Sequence, residues 1–371
     1  MPITLIQQRP IIANLLMLAW LLAIIPPVYA QRDLPSLEEQ AMQAAVARVA
    51  PSVVRIETVG GLDRVGQVLV GTGPTTGLIV SSDGYVVSSA FNFAQRPASI
   101  LVILPDGSPA PAKLVATDHS RMITLLKVDV EEPLPTPEIV PRDAINVGQW
   151  AVAVGRTFPG DSPNISVGII SAKNRIWNKA IQTDAKISPS NYGGPLIDLF
   201  GRVIGVLVPL SPSGTGELAG VQWYDSGIGF AIPLEHIQSV LPRLQTGKDL
   251  YTGLLGVSLR GKEPLRGPVV LATSFPNSPA ATAGLIAGDR IVEVDGAEVR
   301  WQNHLFQQLK SKYAGDTVHL VVLRDDERLE FEVELAVEGM GCTTAKAANK
   351  RGAEKEAARR MLKKIKDKDA A

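Results

Sequence analysis

The residues of this sequence that could carry out nucleophilic or acid–base chemistry are a serine-containing turn and four histidines. The turn reads ISPSNYGGP, in which Ser188 and Ser190 come shortly before Tyr192 and a Gly-Gly-Pro. A serine hydroxyl becomes a strong nucleophile only beside a base that accepts its proton, and an imidazole is the usual base. The sequence identifies no base for these serines. The imidazoles available are those of His119, His236, His304 and His319.

Short β-strands must position these residues. Val-, Ile- and Leu-rich segments recur about every twelve residues and are separated by turn residues, and the chain contains 33 Gly and 27 Pro. This spacing predicts a mostly β fold with a barrel or sandwich, and not alternating βαβ units. A helix from Leu234 to about Gln245 closes a first domain, residues 31–248. A second, smaller domain covers 249–337 and contains one helix near Gln302 to Lys312.

The N-terminus has the features of an export signal. Arg9 precedes a stretch from Ile11 to Ile25 that is apolar apart from Asn14, and small residues follow up to Ala30. This stretch is shorter than the ~20 residues that span a bilayer, and Val28 and Ala30 suit a signal-peptidase site. We interpret residues 1–30 as a secretory signal peptide, with an uncleaved membrane anchor as the alternative. Either interpretation predicts that the body of the protein is exported, to the periplasm or another extracytoplasmic location.

Charge and cysteine content limit the possible partners. Lys+Arg and Asp+Glu are both 37, so the total charge indicates neither nucleic-acid binding nor an acidic partner. Residues 338–371 form a basic tail, predicted to be a frayed helix or disordered, which could make weak contacts with an anionic surface. The single cysteine, Cys342, excludes an internal disulfide and a cysteine-based metal site. We expect no cofactor and no metal.

Six segments of the first domain match a known family in sequence and in order. They are TGLIVSSDGYVVSSAFNF, DHSRMITLLKVD, VGQWAVAVGR, SVGIISAKNR, IQTDAKISPSNYGGPLIDLFGRVIGV and GIGFAIP. They resemble HtrA/DegP-type serine proteases, in which a trypsin-like double β-barrel is followed by PDZ domains. The resemblance covers residues 36–245 and implies a trypsin-like first domain.

The same resemblance implies unusual residues at the three catalytic positions. Phe91 stands at the histidine position, Met122 at the aspartate position and Tyr192 at the serine position. A phenyl ring accepts no proton, a thioether cannot orient an imidazole, and a phenol without a base is a poor acyl carrier. We therefore predict an inactive homologue that is not an enzyme, with three side chains that pack together. In the former oxyanion loop, Ser190–Asn191–Tyr192, Ser190 replaces the family's glycine.

The second domain contains the segments YTGLLGVSLRG and SPAATAGLIAGDRIVEVDG. On these segments it resembles an HtrA-type PDZ domain. PDZ domains bind an extended peptide as an added strand and hold its terminal carboxylate with backbone N–H groups. By resemblance, Leu305 on the facing helix points toward the groove, while Leu309 is as much a core residue as a groove residue. The carboxylate loop would be Leu254, Leu255, Gly256 and Val257.

Three functional hypotheses follow. The leading one is an exported, inactive HtrA-like protein that binds peptide C-termini or unfolded polypeptide and acts as a scaffold, chaperone-like or regulatory protein. The second is an active serine endopeptidase in protein quality control that uses a non-standard nucleophile. The third is an envelope-associated structural protein. Resemblance to the family also implies a trimer.

Overall fold

The computed structural model describes residues 34–59, 63–65, 68–70, 74–94, 97–158, 163–210, 227–261, 263–337 and 346–347. The predicted signal peptide and nearly all of the predicted basic tail lie outside these ranges. None of the helices within them has both the length and the apolar composition that crossing a bilayer requires.

The first part of the chain forms a closed six-stranded antiparallel barrel. Its strands are rich in β-branched residues, and the inward-facing side chains, such as Val54, Ile56 and Leu126, are fully buried. The strands of this region are β1 (Val53–Val59), β2 (Asp63–Val65), β3 (Val68–Val70), β4 (Thr75–Ser81), β5 (Tyr85–Ser89), β6 (Ser99–Ile103), β7 (Pro109–Asp118) and β8 (Ile123–Val128). The strand order in the barrel is β1-β4-β5-β8-β7-β6, with β2 paired only to β3 among the described residues.

A second closed six-stranded barrel follows. Its interior contains Ile170, Leu196 and Leu207, all fully buried. The strands are β9 (Trp150–Gly155), β10 (Asn164–Asn174), β11 (Ala180–Thr183), β12 (Pro195–Ile197), β13 (Val203–Val208) and β14 (Gly229–Pro233). The strand order is β10-β11-β14-β13-β12-β9.

Three helices accompany the barrels: α1 (Leu34–Val49), the short α2 (Arg175–Asn178) and α3 (Leu234–Gln245). Helix α3 follows the last barrel strand and places Ile237 and Leu244 in a core cluster shared by both barrels. The predicted closing helix is therefore confirmed at both ends.

The remaining described residues form a third β unit. Its strands are β15 (Val257–Leu259), β16 (Val269–Ser274), β17 (Arg290–Val294), β18 (Ala297–Glu298), β19 (Thr317–Arg324), β20 (Glu327–Glu334) and β21 (Lys346–Ala347), with helices α4 (Pro279–Ala283) and α5 (Gln302–Leu309). Helix α5 ends three residues before the predicted Lys312, because the chain turns there and brings Tyr313 into the protein interior. The predicted fold class, mostly β with two barrels and a smaller β domain, is confirmed.

Candidate functional site

The predicted catalytic positions lie where the two barrels meet. Phe91 belongs to a single turn of 3-10 helix after β5, capped by Ser89, whose hydroxyl oxygen accepts a hydrogen bond from the Phe91 N–H at 3.3 Å. Tyr192 precedes β12 and is 2% exposed. The two rings are 5.5 Å apart and meet edge to face at 76°, a favourable aromatic geometry. The predicted contact between these two side chains is confirmed.

Met122 contributes mainly its backbone to this region. Its carbonyl accepts a hydrogen bond of 2.8 Å from the Ala90 N–H, next to Phe91. Its φ angle of 58° lies in the left-handed region, which is uncommon for a residue with an unbranched side chain and requires support from its surroundings. The side chain packs against the core cluster that contains Leu125, whereas Phe91 packs against the cluster of Tyr192. The expectation that all three side chains form one cluster therefore holds for only two of them.

The predicted oxyanion loop is folded back on itself. The N–H groups of Asn191 and Tyr192 both donate to the Ser188 carbonyl, at 3.0 and 3.2 Å. Thr75 and Thr76 hold the loop from the other barrel, because their hydroxyls donate to the carbonyls of Tyr192 and Ser190. In this conformation the Tyr192 N–H is already engaged. The loop would have to rearrange before that group could polarise a substrate carbonyl.

Two serine hydroxyls lie beside Tyr192. The Oγ atoms of Ser188 and Ser190 are 2.8 Å apart, and the Ser188 N–H donates to Asn191 Oδ1 at 2.9 Å. Both residues are half-buried. Across the described residues, no histidine ring is hydrogen-bonded to a serine hydroxyl. The arrangement supplies candidate nucleophiles but not a base already in contact with them.

The histidines of the barrel region instead bind groups near the third β unit. His119 Nε2 is 3.0 Å from Asp249 Oδ2, and its ring stacks on Tyr251 at 4.6 Å. His236 Nε2 is 2.9 Å from the Tyr313 hydroxyl. Burial, reinforced by nearby arginines, lowers the pKa of His236 to about 3, so this ring is neutral at pH 7. Neither histidine is placed to activate Ser188 or Ser190.

A buried polar cluster between the barrels and the third β unit was not predicted from the sequence. Tyr313 donates to Asp118 Oδ2 at 2.5 Å, and the Arg121 guanidinium lies 4.5 Å from the centre of the Tyr313 ring. Burial raises the pKa of the Asp118 carboxyl, although Arg121 opposes this effect. The Lys179 ammonium contacts the Ser120 carbonyl and the Thr252 hydroxyl, both at 3.3 Å. The sequence feature that could have indicated this cluster is the polar turn DHSR, which interrupts an otherwise apolar β pattern.

The predicted carboxylate loop joins the third unit at its open side. Leu254 pairs with Ala336 through two backbone hydrogen bonds, and Gly256 has a φ of 76° that favours glycine. Within the described chain, the N–H groups of Leu255 and Gly256 donate no hydrogen bond. Two adjacent N–H groups without acceptors form a suitable site for a carboxylate.

An open strand edge and a helix follow this loop in the chain. Strand β15 pairs only with β16 in the part of the sheet that the structure describes, so one of its edges is open. Helix α5 presents Leu305 and Leu309, which are 1% and 8% exposed and belong to the core of the unit. Gln302 Nε2 donates to the Arg260 carbonyl at 3.0 Å and joins the helix to the end of β15. A role for Leu305 in ligand contact stays a prediction, because its side chain serves the core in this state.

No group of three or more possible metal ligands occurs among the described residues. The described structure thus offers three candidate sites. They are the region around Tyr192, the loop and open strand edge at β15, and the polar cluster around Tyr313.

Comparison with known proteins assigns both parts of the chain. A family model described as a trypsin-like peptidase domain matches residues 75–206, and one described as a PDZ domain matches residues 253–335. The probable periplasmic serine endoprotease DegP-like of Halomonas elongata is 34% identical over 273 residues, which are 70% of this chain and 55% of that protein. The putative serine protease HhoB of Synechocystis sp. is 34% identical over 280 residues, 68% of this chain and 64% of that protein. The chain thus spans less than two thirds of the length of these relatives.

Solved structures show the same arrangement. The HtrA-type protease AlgW with decapeptide is 28% identical, with a TM-score of 0.61 over 81% of this chain and 99% of that chain. AlgW with tripeptide gives a TM-score of 0.63 at 28% identity, over 81% of this chain and 98% of that chain.

These comparisons contradict the prediction that the chain is not an enzyme. The relatives of 34% identity are named a serine endoprotease and a serine protease, and that prediction is therefore withdrawn. That prediction rested on the residue types at three positions that were matched by sequence resemblance. These residue types concern only catalysis by a Ser-His-Asp triad at those positions, and they do not exclude another nucleophile. The assignment of Phe91, Met122 and Tyr192 to the triad positions stays a prediction.

Proposed function

Because the chain combines a trypsin-like peptidase domain with a PDZ domain in the HtrA/DegP arrangement, we propose that it acts outside the cytoplasm and captures peptide C-termini or unfolded segments in protein quality control. The observation that carries this proposal is the open edge of β15 beside the unpaired N–H groups of Leu255 and Gly256. The periplasmic names of the relatives support the location. Cleavage of residues 1–30, membrane anchoring, trimer formation and surface contacts of the tail stay predictions.

Strand pairing indicates how a peptide would bind. The carbonyl of Gly256 accepts from the Phe275 N–H, and the Arg260 N–H donates to the Val270 carbonyl, so these residues face β16. Because hydrogen-bonding groups alternate along an antiparallel strand, the backbone groups of Val257 face the open edge. An added peptide strand would pair there, with its carboxylate at Leu255 and Gly256.

The test uses the full chain and a fluorescent peptide library. We expect binding that requires a free C-terminus, so that the amidated form of the same peptide binds at least about tenfold more weakly, as expected on loss of a charge-assisted hydrogen bond. Val257→Pro removes one outward N–H on an edge strand, where proline is tolerated, and should weaken binding similarly. Equal affinity for free and amidated peptides would contradict binding at the carboxylate loop.

A serine endopeptidase with a non-standard nucleophile is the second candidate function, and the names of the relatives favour it. The specific observation is the pair of hydroxyls of Ser188 and Ser190, 2.8 Å apart, in the turn before Tyr192. Substrate binding would have to rearrange this turn and bring a base to it.

The assay is cleavage of an unfolded, casein-like substrate, together with labelling by a serine-reactive phosphonate. Ser188→Ala and Ser190→Ala test each hydroxyl separately, and one of them should abolish cleavage and labelling together. Exposed Ser82 provides a matched control, because Ser82→Ala removes a hydroxyl in a distant turn. Cleavage that persists in the double variant would assign the activity to another residue or to a contaminant.

A further inference from the structure

A cationic cleft lies between the second barrel, helix α3 and the PDZ domain. Its volume is about 480 Å³, which falls in the range of small-molecule sites. Residues from both domains line it, so an occupant would contact both at once. Its charged lining residues are Arg121, Arg142, Lys179, Arg243, Lys312 and Asp316.

Positive charge in this cleft exceeds the negative charge available to balance it. Arg243 pairs with Asp316 at 2.8 Å, and Lys312 pairs with Asp295 at 2.6 Å. The other three cations have mainly neutral partners. Arg142 donates to Asn174 Oδ1 at 2.6 Å and to the Asn178 carbonyl at 3.1 Å.

The buried cations show the same imbalance. Within the described part of the chain, the hydrogen-bond acceptors of the Lys179 ammonium are the Ser120 carbonyl and the Thr252 hydroxyl. Arg121 donates to the Ser311 carbonyl at 2.8 Å and contacts the Ser120 hydroxyl at 3.4 Å. Asp118 is the nearby carboxylate, but it is 1% exposed and is satisfied by Tyr313 and by the N–H groups of Ser120 and Arg121.

Arg121 also has an unsatisfied donor. Its side chain lines the cleft although the residue is only 3% exposed, and its Nε atom has no hydrogen-bond partner among the described residues. A buried cationic donor without an acceptor costs free energy that a bound anion would recover.

The ionisable groups around the cleft respond to this positive field. Burial lowers the pKa of Lys179 to about 8, and repulsion from Arg121 and Lys310 adds to the effect of burial. Burial also lowers the pKa of His236, and repulsion from Arg121 and Arg142 adds to that effect. The arginines remain charged at any physiological pH, so the cleft stays positive.

We propose that this cleft binds a small anion that carries a phosphate group. The guanidinium groups of Arg121 and Arg142 offer the planar N–H pairs that match phosphate oxygens, and Lys179 adds a third cation. A phosphate group offers several acceptor oxygens at once to three incompletely paired cations, and a phosphate monoester also carries nearly two negative charges at pH 7. The phosphate could belong to a free metabolite or to the headgroup of an anionic lipid.

The experiment measures binding to the full chain by titration calorimetry at low salt. The soluble probes are inorganic phosphate, pyrophosphate and glycerol phosphate. The lipid arm is sedimentation with vesicles of phosphatidylglycerol, compared with vesicles of phosphatidylcholine. Saturable binding of a soluble probe assigns the site to free phosphates, and binding to the anionic vesicles alone assigns it to a headgroup. Both results support the proposal, provided that the cleft variants weaken the binding.

Arg142→Gln and Lys179→Met should each weaken binding at least about tenfold, as expected for loss of a charged hydrogen bond. Arg142 is only half-buried whereas Lys179 is 8% exposed, so Arg142→Gln stays informative if Lys179→Met unfolds the chain. Lys113→Gln is the control, because this side chain is 82% exposed and lies outside the cleft. The proposal fails if no probe and no anionic vesicle binds, or if Lys113→Gln weakens binding as much as the cleft variants. Peptide binding at β15 should be unchanged in all three variants. A failure of the peptide-binding proposal can therefore be distinguished from a failure of the anion-site proposal.

Discussion

The region around Tyr192 and the cleft around Tyr313 are both buried junctions, but they are built from opposite chemistry. At the first, two aromatic rings fill the space between the barrels, and a self-bonded turn covers it. At the second, the ionisable side chains of Asp118, Arg121 and Lys179 are buried. Buried apolar side chains stabilise a junction whatever the pH and whether or not a ligand is bound. The contribution of buried charged groups to stability instead depends on their partners and on any ligand that binds beside them. The second junction is therefore the one expected to respond to ligands and pH.

The largest effect is expected from Asp118→Ala. This change leaves the Tyr313 hydroxyl and the backbone N–H groups of Ser120 and Arg121 buried without their acceptor. Each buried group that loses its partner costs about 1–3 kcal/mol in the free energy of unfolding. Urea unfolding measures the loss. Asp118→Asn, which keeps an acceptor oxygen for Tyr313, should lose less. Equal losses for the two variants would show that the acceptor oxygen kept by asparagine contributes nothing, and would assign the loss to the charge that both variants remove.

At the aromatic junction, Tyr192→Ala should lower the free energy of unfolding by about 3 kcal/mol, because it opens a cavity beside Phe91. Tyr192→Phe keeps the ring contact and should cost about 1 kcal/mol. Urea unfolding at pH 7 compares the two variants. A Tyr192→Phe variant as unstable as Tyr192→Ala would mean that the hydroxyl, and not the ring, supports this junction.

The free energy of unfolding should depend on pH because of Lys179, which lies in the charged junction around Tyr313. The pKa of Lys179 is lowered from 10.5 to about 8 in the folded chain. Between these values the unfolded chain binds more protons than the folded one, so stability should rise with pH, by roughly 2 kcal/mol. Below pH 8 both states are protonated, and the full cost of burying the ammonium remains.

Unfolding measured from pH 7.5 to 9.5 tests this expectation, with Lys179→Met as the control that should lack the rise. Asp118, Arg121 and Lys310 also face Lys179. Burial raises the pKa of Asp118 and lowers the pKa of Lys310, so the difference between the wild type and Lys179→Met isolates the contribution of Lys179. A wild-type profile that is flat or parallel to that of Lys179→Met would contradict the assignment.

The smallest effect is expected at the exposed edge of the second junction. His119 is 47% exposed and Asp249 is 30% exposed, so their 3.0 Å pair is screened by water. His119→Gln should change the free energy of unfolding by about 0.5 kcal/mol or less. A loss comparable to that of Asp118→Ala would show that the stack of His119 on Tyr251 carries more of the junction than its exposure indicates.

The sequence predicted the aromatic junction better than the charged one. Both barrels, helix α3 and the contact between Phe91 and Tyr192 followed from local patterns and from resemblance to a family. The side chain of Met122 was placed wrongly, because its left-handed backbone directs it to another core cluster. The end of α5 was also misplaced, because Tyr313 turns toward the barrel domain instead of continuing the helix.

By itself, the sequence determined the strands, the order of the two domains and the residue types around the Gly-Gly-Pro turn, since these depend on local periodicity and on motifs of neighbouring residues. Only the tertiary structure brought Asp118, Arg121 and Lys179 to Tyr313, and residues 195 positions apart share a hydrogen bond there. Such contacts depend on how two folded domains meet, and no local pattern in the chain encodes that geometry. The balance of buried charge in the cleft is therefore a property of the assembled fold.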